Sequence, residues 1–218
     1  MTERRKPGGH PDKRRAITAG ALTLFARDGY TRAGLDAIAA EAGVSNRTIY
    51  NHFTDKAALF QAVIQESTQR VADVMVDIID RHLTKVSDLE NDLIDFGVAW
   101  LGVLTSDLAP HFALIRQINA EIEHIPPTAL ELWQETGPGR TRRALAEHLR
   151  RIAEHGDLTI DDPARAARHL MLLISADNLD NRADLQDEDT LREMATAGVL
   201  TFLYGYAAVG GREPAHGS

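Results

Sequence analysis

The chain has 218 residues, 44% of them hydrophobic, which is enough for one or two domains with a sizeable core. It contains no cysteine, which excludes a disulfide framework, a thiolate metal site and a cysteine nucleophile. The net charge of −8 is uneven, because residues 1–60 carry +4 and residues 61–218 carry −12. This asymmetry favours a head that faces nucleic acid and a body that phosphates repel, although an ordinary soluble protein can also have an uneven surface.

The first fifteen residues lack the apolar stretch of a secretory signal, and the longest apolar run, residues 96–104, is too short to cross a bilayer. We therefore expect a soluble, cytoplasmic protein with no membrane partner. Residues 1–10 are basic and rich in proline and glycine, which is typical of a flexible arm. Two interpretations of this arm stay open: Arg4, Arg5 and Lys6 gather DNA phosphates or enter a minor groove, or they are a solvated tail.

Apolar residues recur with helical spacing along the chain, and no segment alternates as a strand would. The first predicted helix begins at Pro11 and stops at Gly29. A helix of about 30 residues starts at the cap Asp55, and at 1.5 Å per residue its length of roughly 45 Å can link the head to the body. A capping box at Ser87 and Glu90 predicts another helix start. The remaining predicted helices cover, approximately, residues 110–123, 130–135, 140–154, 162–178 and 187–206.

Residues 35–56 carry the pattern of a helix-turn-helix. A short helix over residues 36–42 stops at Gly43, which tolerates the positive φ of a sharp turn. Ser45 then caps a second helix, and Ala39 supplies the small residue that two crossing helices need where they touch. A small apolar wedge behind the crossing is expected from Ile38, Val44 and Ile49. The sequence therefore predicts a motif that inserts side chains into a DNA groove.

The first turn of the second helix, Asn46-Arg47-Thr48, is placed to reach base edges. Arg47 can donate two parallel hydrogen bonds to guanine O6 and N7, or it can contact phosphate only. Asn46 can pair with adenine or touch phosphate. Both choices stay open from the sequence.

A dense pattern of matching residues covers residues 12–60. It consists of Phe25, Gly29, Tyr30, Ile38, Ala39, Ala42, Gly43, Val44, Ser45, Thr48, Ile49, Tyr50, His52, Phe53, Lys56 and Leu59. With this pattern the segment resembles the N-terminal domain of the TetR family of bacterial transcriptional regulators. The other 160 or so residues agree with the family's regulatory domain in length and helix content, but carry no specific motif.

The resemblance implies an all-α fold. A three-helix DNA-binding domain at residues 11–55 precedes a larger helical ligand-binding and dimerisation domain at residues 56–209, and residues 210–218 form a flexible tail. The resemblance also implies a homodimer that pairs through its last two long helices and binds a palindromic operator on double-stranded DNA. A small-molecule effector in the body would move the two heads. We therefore expect a ligand-responsive transcriptional regulator, most often a repressor, which is not an enzyme and has no cofactor.

At the matching positions of the family, Tyr50 and His52 approach the phosphate backbone, and Lys56 can hold a phosphate at a helix N-terminus. The family usually has hydroxyl side chains just before its second helix, where this chain has Ala33 and Gly34. Thr31 or Arg32 could replace the missing contact. The predicted DNA-binding residues are Thr31, Arg32, Gly34, Ser45, Asn46, Arg47, Thr48, Tyr50, Asn51, His52 and Lys56.

An effector cavity would combine apolar walls with a few polar groups. The candidate lining residues are Phe96, Trp100, Leu104, His111, Phe112, Gln117, Trp133, His169, Met171 and Asn178. Ordinary core packing explains each of them as well. Trp100 and Trp133 are the strongest candidates, because an indole needs both space and a partner for its N–H.

Small and apolar side chains on the last two helices fit a dimer interface or an intramolecular core equally well: Ala166, Leu170, Leu173, Ala195, Gly198, Leu200 and Leu203. His148 and His155 share a helix face with several arginines, which indicates a solvated charged surface and no metal site.

Two other functions are weighed against a ligand-controlled regulator. A helical enzyme with a DNA-binding head would need a nucleophile elbow, a phosphate-binding glycine loop, metal-ligand spacing or paired catalytic acids, and the sequence shows none of these. A constitutive or protein-recruiting regulator without a ligand would have the same hydrophobic pattern. A cavity of several hundred Å³ open to solvent would favour ligand control, and a solid body would favour the constitutive regulator.

Overall fold

The computed structural model describes residues 10–175 and 187–206, and the all-α prediction is confirmed for this part of the chain. Within these ranges the helices are α1 His10–Arg32, α2 Leu35–Glu41, α3 Asn46–Tyr50, α4 Lys56–Leu83, α5 Leu89–Gly102, α6 Ala109–Ala120, α7 Pro127–Thr136, α8 Pro138–Glu154, α9 Pro163–Ser175 and α10 Glu188–Tyr206. Two 3₁₀ turns follow α5 and α6, at Val103–Thr105 and Ile122–His124. Residues 1–9 of the arm, the C-terminal tail and Asn178 lie outside the described residues.

The start of α5 differs by one residue from the predicted capping box. Asp88 is the N-cap and accepts a hydrogen bond from the backbone N–H of Asn91 at 3.1 Å. The carboxylate of Asp92 receives the backbone N–H groups of Ser87 and Asp88 at 2.8 and 3.1 Å. The predicted pairing of Ser87 with Glu90 is therefore wrong, because a carboxylate at each end of this turn satisfies the free N–H groups instead.

The chain forms two compact units. The first contains residues up to 71 together with 107–137, and the second contains residues 72–106 together with those from 138 onwards. In the first unit, Phe25 of α1 and Phe60 of α4 are fully buried in the same apolar cluster as Leu114 and Ile118 of α6. Helix α6 therefore belongs to the hydrophobic core that holds the helix-turn-helix in shape.

The crossing of α2 and α3 has the predicted geometry. Gly43 has a φ of +64°, which explains why glycine ends α2. Ile38, Ala39 and Ile49 are buried between the crossing helices, and Val44 packs against the same cluster. The wedge that the sequence predicted is confirmed.

In the second unit, close helix packing depends on small residues. A Cβ atom on Gly198 of α10 would lie 2.6 Å from the carbonyl oxygen of Leu173 and 2.7 Å from the Cα of Ile174, so no side chain fits there. Where α10 packs against α5, the side chain of Ala195 fills the space beside Gly97, so a Cβ atom on Gly97 would collide with it. For Gly198 and Ala195, the intramolecular interpretation is therefore the correct one.

His148 does not lie on the solvated surface that the sequence predicted, and that interpretation is wrong. The side chain is buried, with Nε2 at 2.8 Å from the carboxylate of Asp80 and Nδ1 at 3.1 Å from the carbonyl oxygen of Leu83. It lies beside the apolar stripe of α8, which turns it inward. His155 is exposed, as expected.

A second buried histidine, His111 of α6, lies in the first unit. Its Nδ1 is 2.6 Å from the hydroxyl of Ser67, and only 7% of the residue is exposed. Burial lowers the pKa of His111 from 6.5 to about 4, because the protonated ring would lose its hydration. The ring is therefore neutral at physiological pH.

The free energy of unfolding should fall as the pH drops from about 6.5 towards 4, since the unfolded chain binds a proton on His111 before the folded chain does. At 1.36 kcal/mol per unit, this shift corresponds to roughly 3 kcal/mol. Urea denaturation across this pH range should show a shallower slope for His111→Gln than for the wild type. Ser67→Ala is the control, because it keeps the buried ring. Equal slopes for the wild type and His111→Gln would contradict the assignment.

Candidate nucleic-acid interface

The recognition helix α3 is only five residues long and begins at a side-chain cap. The hydroxyl of Ser45 accepts the backbone N–H of Thr48 at 3.2 Å and lies 2.9 Å from the Thr48 hydroxyl. Both hydroxyl groups are therefore engaged in holding the first turn of the helix, the role that the sequence assigned chiefly to Ser45.

Asn46 connects α3 to α2. Its Nδ2 donates to the carboxylate of Asp36, and its Oδ1 is buried without a hydrogen-bond partner among the described residues. Arg47, by contrast, is exposed, and its side chain makes no hydrogen bond or ion pair in the described part of the chain. Of the three residues in the first turn, Arg47 is therefore the one with a free long side chain.

Polar side chains at the end of α3 are exposed to solvent, and the buried ring of Phe53 just after it packs into the core. Tyr50 is 57% exposed and Asn51 is exposed, while Phe53 is buried in the core. The ring of His52 is 6.4 Å from that of Phe53, and the guanidinium of Arg14 lies 4.8 Å from the centre of the Phe53 ring. Phe53 thus fixes the exit of the helix, and Tyr50 and Asn51 remain accessible.

Lys56, the first residue of α4, is held by residues 29–34, the α1–α2 loop, which includes the last residues of α1 after the non-helical Gly29. Its ammonium group donates to the carbonyl oxygen of Thr31 at 3.1 Å and lies 4.9 Å above the Tyr30 ring. Partial burial lowers the pKa of Lys56. Arg32 of the same loop donates from Nε to the carbonyl oxygen of Asp28 at 2.9 Å. Both cations therefore stabilise this loop, Arg32 from within it and Lys56 from the start of α4.

The carboxylate of Glu121, directly after α6, holds the same loop from within the first unit. Its Oε2 accepts the backbone N–H of Thr31 at 2.9 Å and the Thr31 hydroxyl at 3.0 Å. Burial opposes ionisation of Glu121, but the hydrogen bonds from Thr31, the nearby charge of Arg32 and the Tyr30 backbone together outweigh it, so the pKa of the carboxyl is lowered. The backbone N–H and the hydroxyl of Thr31 are thus both hydrogen-bonded within the protein. The sequence analysis missed Glu121, because the contact joins positions 90 residues apart.

Gly29 makes room for this carboxylate. Its φ of 82° and ψ of 172° lie in a region that side-chain-bearing residues avoid, and a Cβ there would be 2.2 Å from Oε1 of Glu121. Gly34, the N-cap of α2, is different: its backbone is extended, and a Cβ would meet nothing within 4 Å. The loop therefore depends on glycine at Gly29 and tolerates a side chain at Gly34.

The predicted effector residues are dispersed. His111, Phe112, Gln117 and Trp133 belong to the first unit, where Trp133 packs on the core that contains the helix-turn-helix. In the second unit, Phe96 is fully buried, Leu104 packs against Leu101, and exposed His169 lies 2.7 Å from the Tyr206 hydroxyl.

Trp100 and Met171 are the two predicted effector residues that line one cavity together. The cavity measures about 340 Å³ and opens to solvent, and its other walls are Arg142, Arg168, Leu172 and Ser175. The sequence analysis did not name these arginines as candidates. The helical spacing of Arg168, Met171, Leu172 and Ser175 places them on one helix face. That spacing was the signal in the sequence that could have linked Arg168 to Met171.

A short capped helix with a free arginine, set against a second helix by a positive-φ glycine, defines a helix-turn-helix DNA-binding regulator. The pattern described as "Bacterial regulatory proteins, tetR family" matches residues 17–63, and the pattern described as "AefR-like transcriptional repressor, C-terminal domain" matches residues 91–208. The second match alone covers more than half of the chain. The protein belongs to the TetR family of bacterial transcriptional regulators, as the resemblance predicted.

Known regulators are similar to this protein over nearly the whole chain. The transcriptional regulator UidR of Escherichia coli K12 is 25% identical over 205 residues, which cover 94% of this chain and 97% of UidR. The solved structure of a TetR-family regulator from Mesorhizobium loti is 27% identical and superimposes with a TM-score of 0.78 over 92% of this chain and 100% of its own. The flavonoid-responsive regulator FrrA is 27% identical, with a TM-score of 0.64 over 91% and 99%.

The family comprises DNA-binding transcriptional regulators, which are not enzymes, so the helical-enzyme alternative is set aside. No single helix in the described ranges is both long and apolar enough to span a membrane. Leu89–Thr105 and Ala109–Ala120 reach that length and apolarity only when they are counted together.

Proposed function

We propose that this protein is a ligand-responsive repressor that acts in the cytoplasm and binds a palindromic operator as a homodimer. The observation that carries the DNA-binding role is the exposed, unpaired Arg47 on a helix whose start is fixed by Ser45. A fixed helix with one free guanidinium can offer two parallel hydrogen bonds to guanine without prior rearrangement. The repressor role is supported by the AefR-like repressor pattern of residues 91–208.

The other predicted DNA contacts divide into two groups. Tyr50 ends α3, and Asn51 and His52 directly follow it; we assign all three to phosphates of the same half-site. Thr31, Arg32 and Asn46 are bonded within the chain, and Lys56 is bonded to the carbonyl of Thr31. We assign to these four residues a role in shaping the DNA-facing loops, with their outer surfaces available to phosphate.

The homodimer is supported by two exposed apolar residues on the last two helices. Leu172 of α9 is 68% exposed and Tyr204 of α10 is 86% exposed, although large apolar side chains on these helices are otherwise at least partly covered. Burying such residues against a second copy would remove apolar surface from water. The dimer face therefore involves these residues and not the small residues at Gly198.

The variant Leu172→Asp/Tyr204→Asp should be monomeric in analytical ultracentrifugation at concentrations where the wild type is dimeric, because two carboxylates per protomer would have to be desolvated. DNA affinity should fall at least tenfold, since each protomer then binds one half-site alone. The control is Ile122→Asp, which replaces a 51% exposed residue outside these helices. A double variant that stays dimeric and binds DNA normally would contradict this interface.

Ligand control is supported by the cavity of about 340 Å³ at Trp100, which lies in the size range of small-molecule sites. A relative over nearly the whole chain, FrrA, is described as flavonoid-responsive.

A further inference from the structure

Asp36, in the first turn of α2, contacts the first residue of the recognition helix. Its carboxylate accepts a hydrogen bond from Nδ2 of Asn46, which lies ten residues further along the chain. Asp36 is exposed, and Asn46 is half-buried. The contact therefore fixes the side chain that directly precedes Arg47.

This hydrogen bond determines which way the carboxamide of Asn46 faces. A carboxylate can only accept, so the NH₂ end of the amide faces Asp36 and the oxygen faces the other side. That oxygen, Oδ1, is buried and has no hydrogen-bond partner in the part of the chain that the structure describes. A buried acceptor without a partner is unfavourable. The amide therefore keeps this orientation because Asp36 holds its other end.

The orientation limits what Asn46 can recognise on DNA. Asparagine pairs with adenine through two hydrogen bonds, in which Nδ2 donates to N7 and Oδ1 accepts from N6. With Oδ1 buried, the second of these bonds cannot form, and Nδ2 keeps one N–H for a phosphate. The hydroxyl groups of Ser45 and Thr48, 2.9 Å apart, bond each other. Arg47 is then the residue in this turn that can contact a base with two hydrogen bonds.

We propose that Asp36 is a positioning residue for DNA specificity: by holding Asn46 it prevents adenine recognition and leaves base reading on α3 to Arg47. This inference rests on the proposed base contact of Arg47 and deepens it. Without an acceptor at position 36, Nδ2 loses its partner and Oδ1 gains by leaving its unpaired position. The amide should then rotate towards the DNA and read adenine.

In vitro selection from a random pool, with the full-length protein, compares the wild type with two variants. Asp36→Ala removes both the charge and the acceptor, whereas Asp36→Asn removes the charge and keeps an oxygen that can accept from Nδ2. The consensus of Asp36→Ala should contain an adenine in each half-site that the wild-type consensus lacks. Fluorescence anisotropy on the two duplexes should show a preference for that adenine of at least about fivefold. Asp36→Asn should keep the wild-type consensus.

Two further variants separate orientation from charge. Asp36→Ala/Asn46→Ala should lose the new adenine, because Asn46 supplies both hydrogen bonds to it. Glu41→Gln is the matched charge control, because it removes an exposed carboxylate from the other end of α2. Its consensus should equal that of the wild type. A new preference in Glu41→Gln, or equal shifts in Asp36→Ala and Asp36→Asn, would show a general charge effect and overturn the proposal.

Nuclear magnetic resonance tests the hydrogen bond without DNA. The side-chain NH₂ signal of Asn46 is the one that Asn46→Ala removes from the ¹H–¹⁵N spectrum. It should move towards the position of a solvated amide in Asp36→Ala and stay near its wild-type position in Asp36→Asn. Alanine favours an exposed helical position, so both variants should fold. An NH₂ signal that is the same in the wild type and Asp36→Ala would overturn the proposal.

The selection also separates this inference from the proposed function. An Asp36→Ala consensus that keeps the guanine of Arg47 and gains no adenine would overturn the role of Asp36 and leave DNA recognition by Arg47 intact. A wild type that selects no preferred sequence would overturn the proposed base reading, and this inference with it.

Discussion

Replacing Arg47 by alanine should cost about 1–3 kcal/mol of binding free energy per half-site and remove the preference for guanine at one base pair. The reason is geometric, since Arg47 is the long side chain of the first turn of α3 that no other described residue holds. Fluorescence anisotropy on duplexes that differ at this base pair measures the effect. The wild type should discriminate between the duplexes, and Arg47→Ala should bind them equally.

Arg47→Lys is the matched control for this prediction. It keeps the positive charge and removes the planar fork that bonds O6 and N7 together. If Arg47 reads a base, the lysine variant should lose most of the discrimination and keep much of the affinity for all sequences. If both variants keep the wild-type preference, Arg47 contacts phosphate only, and the base-reading role is wrong.

Replacing Gly29 by alanine should lower the free energy of unfolding by about 3 kcal/mol, because a left-handed backbone strains any side chain by roughly 1–3 kcal/mol and the new Cβ meets a carboxylate. That carboxylate, on Glu121, would have to leave the backbone N–H of Thr31. Since Thr31 also holds Lys56, DNA affinity should fall with stability. Urea denaturation and anisotropy on one duplex measure the two effects.

Two further variants separate the causes of the Gly29 effect. Gly29→Ala/Glu121→Ala removes the collision and leaves the backbone strain, so the two substitutions should be clearly non-additive. Gly34→Ala is the matched glycine control, because the backbone at Gly34 is extended and the space around it is open; its stability should change by less than about 0.5 kcal/mol. Unchanged stability of Gly29→Ala would show that the loop conformation described here is wrong.

The sequence predicted the features that depend on neighbouring residues. Gly43 and Ser45 act within one turn of α2 and α3, so the residue types alone indicate where one helix stops and the next starts. The predicted core of the crossing also follows from local spacing. At Ser87 the same kind of argument failed by one residue, because several polar side chains competed for the same free N–H groups.

Features that depend on distant residues could not be predicted. No residue near Thr31 in the sequence indicates that it contacts Glu121. The burial of His148 depends on Asp80 and Leu83 of another helix. The cavity at Trp100 requires three helices to meet. Spacing along α9 indicates a shared face, but it does not indicate which side chains of α5 and α8 complete the site.

In vitro selection of bound duplexes from a random pool, with the full-length protein, tests the central claim most directly. That claim is that two copies each insert an α3 helix into a major groove. The account predicts a consensus with two-fold symmetry, at least one guanine in each half, and half-site centres about one helical turn or a multiple of it apart. An asymmetric consensus, or recovery of no preferred sequence, would contradict it.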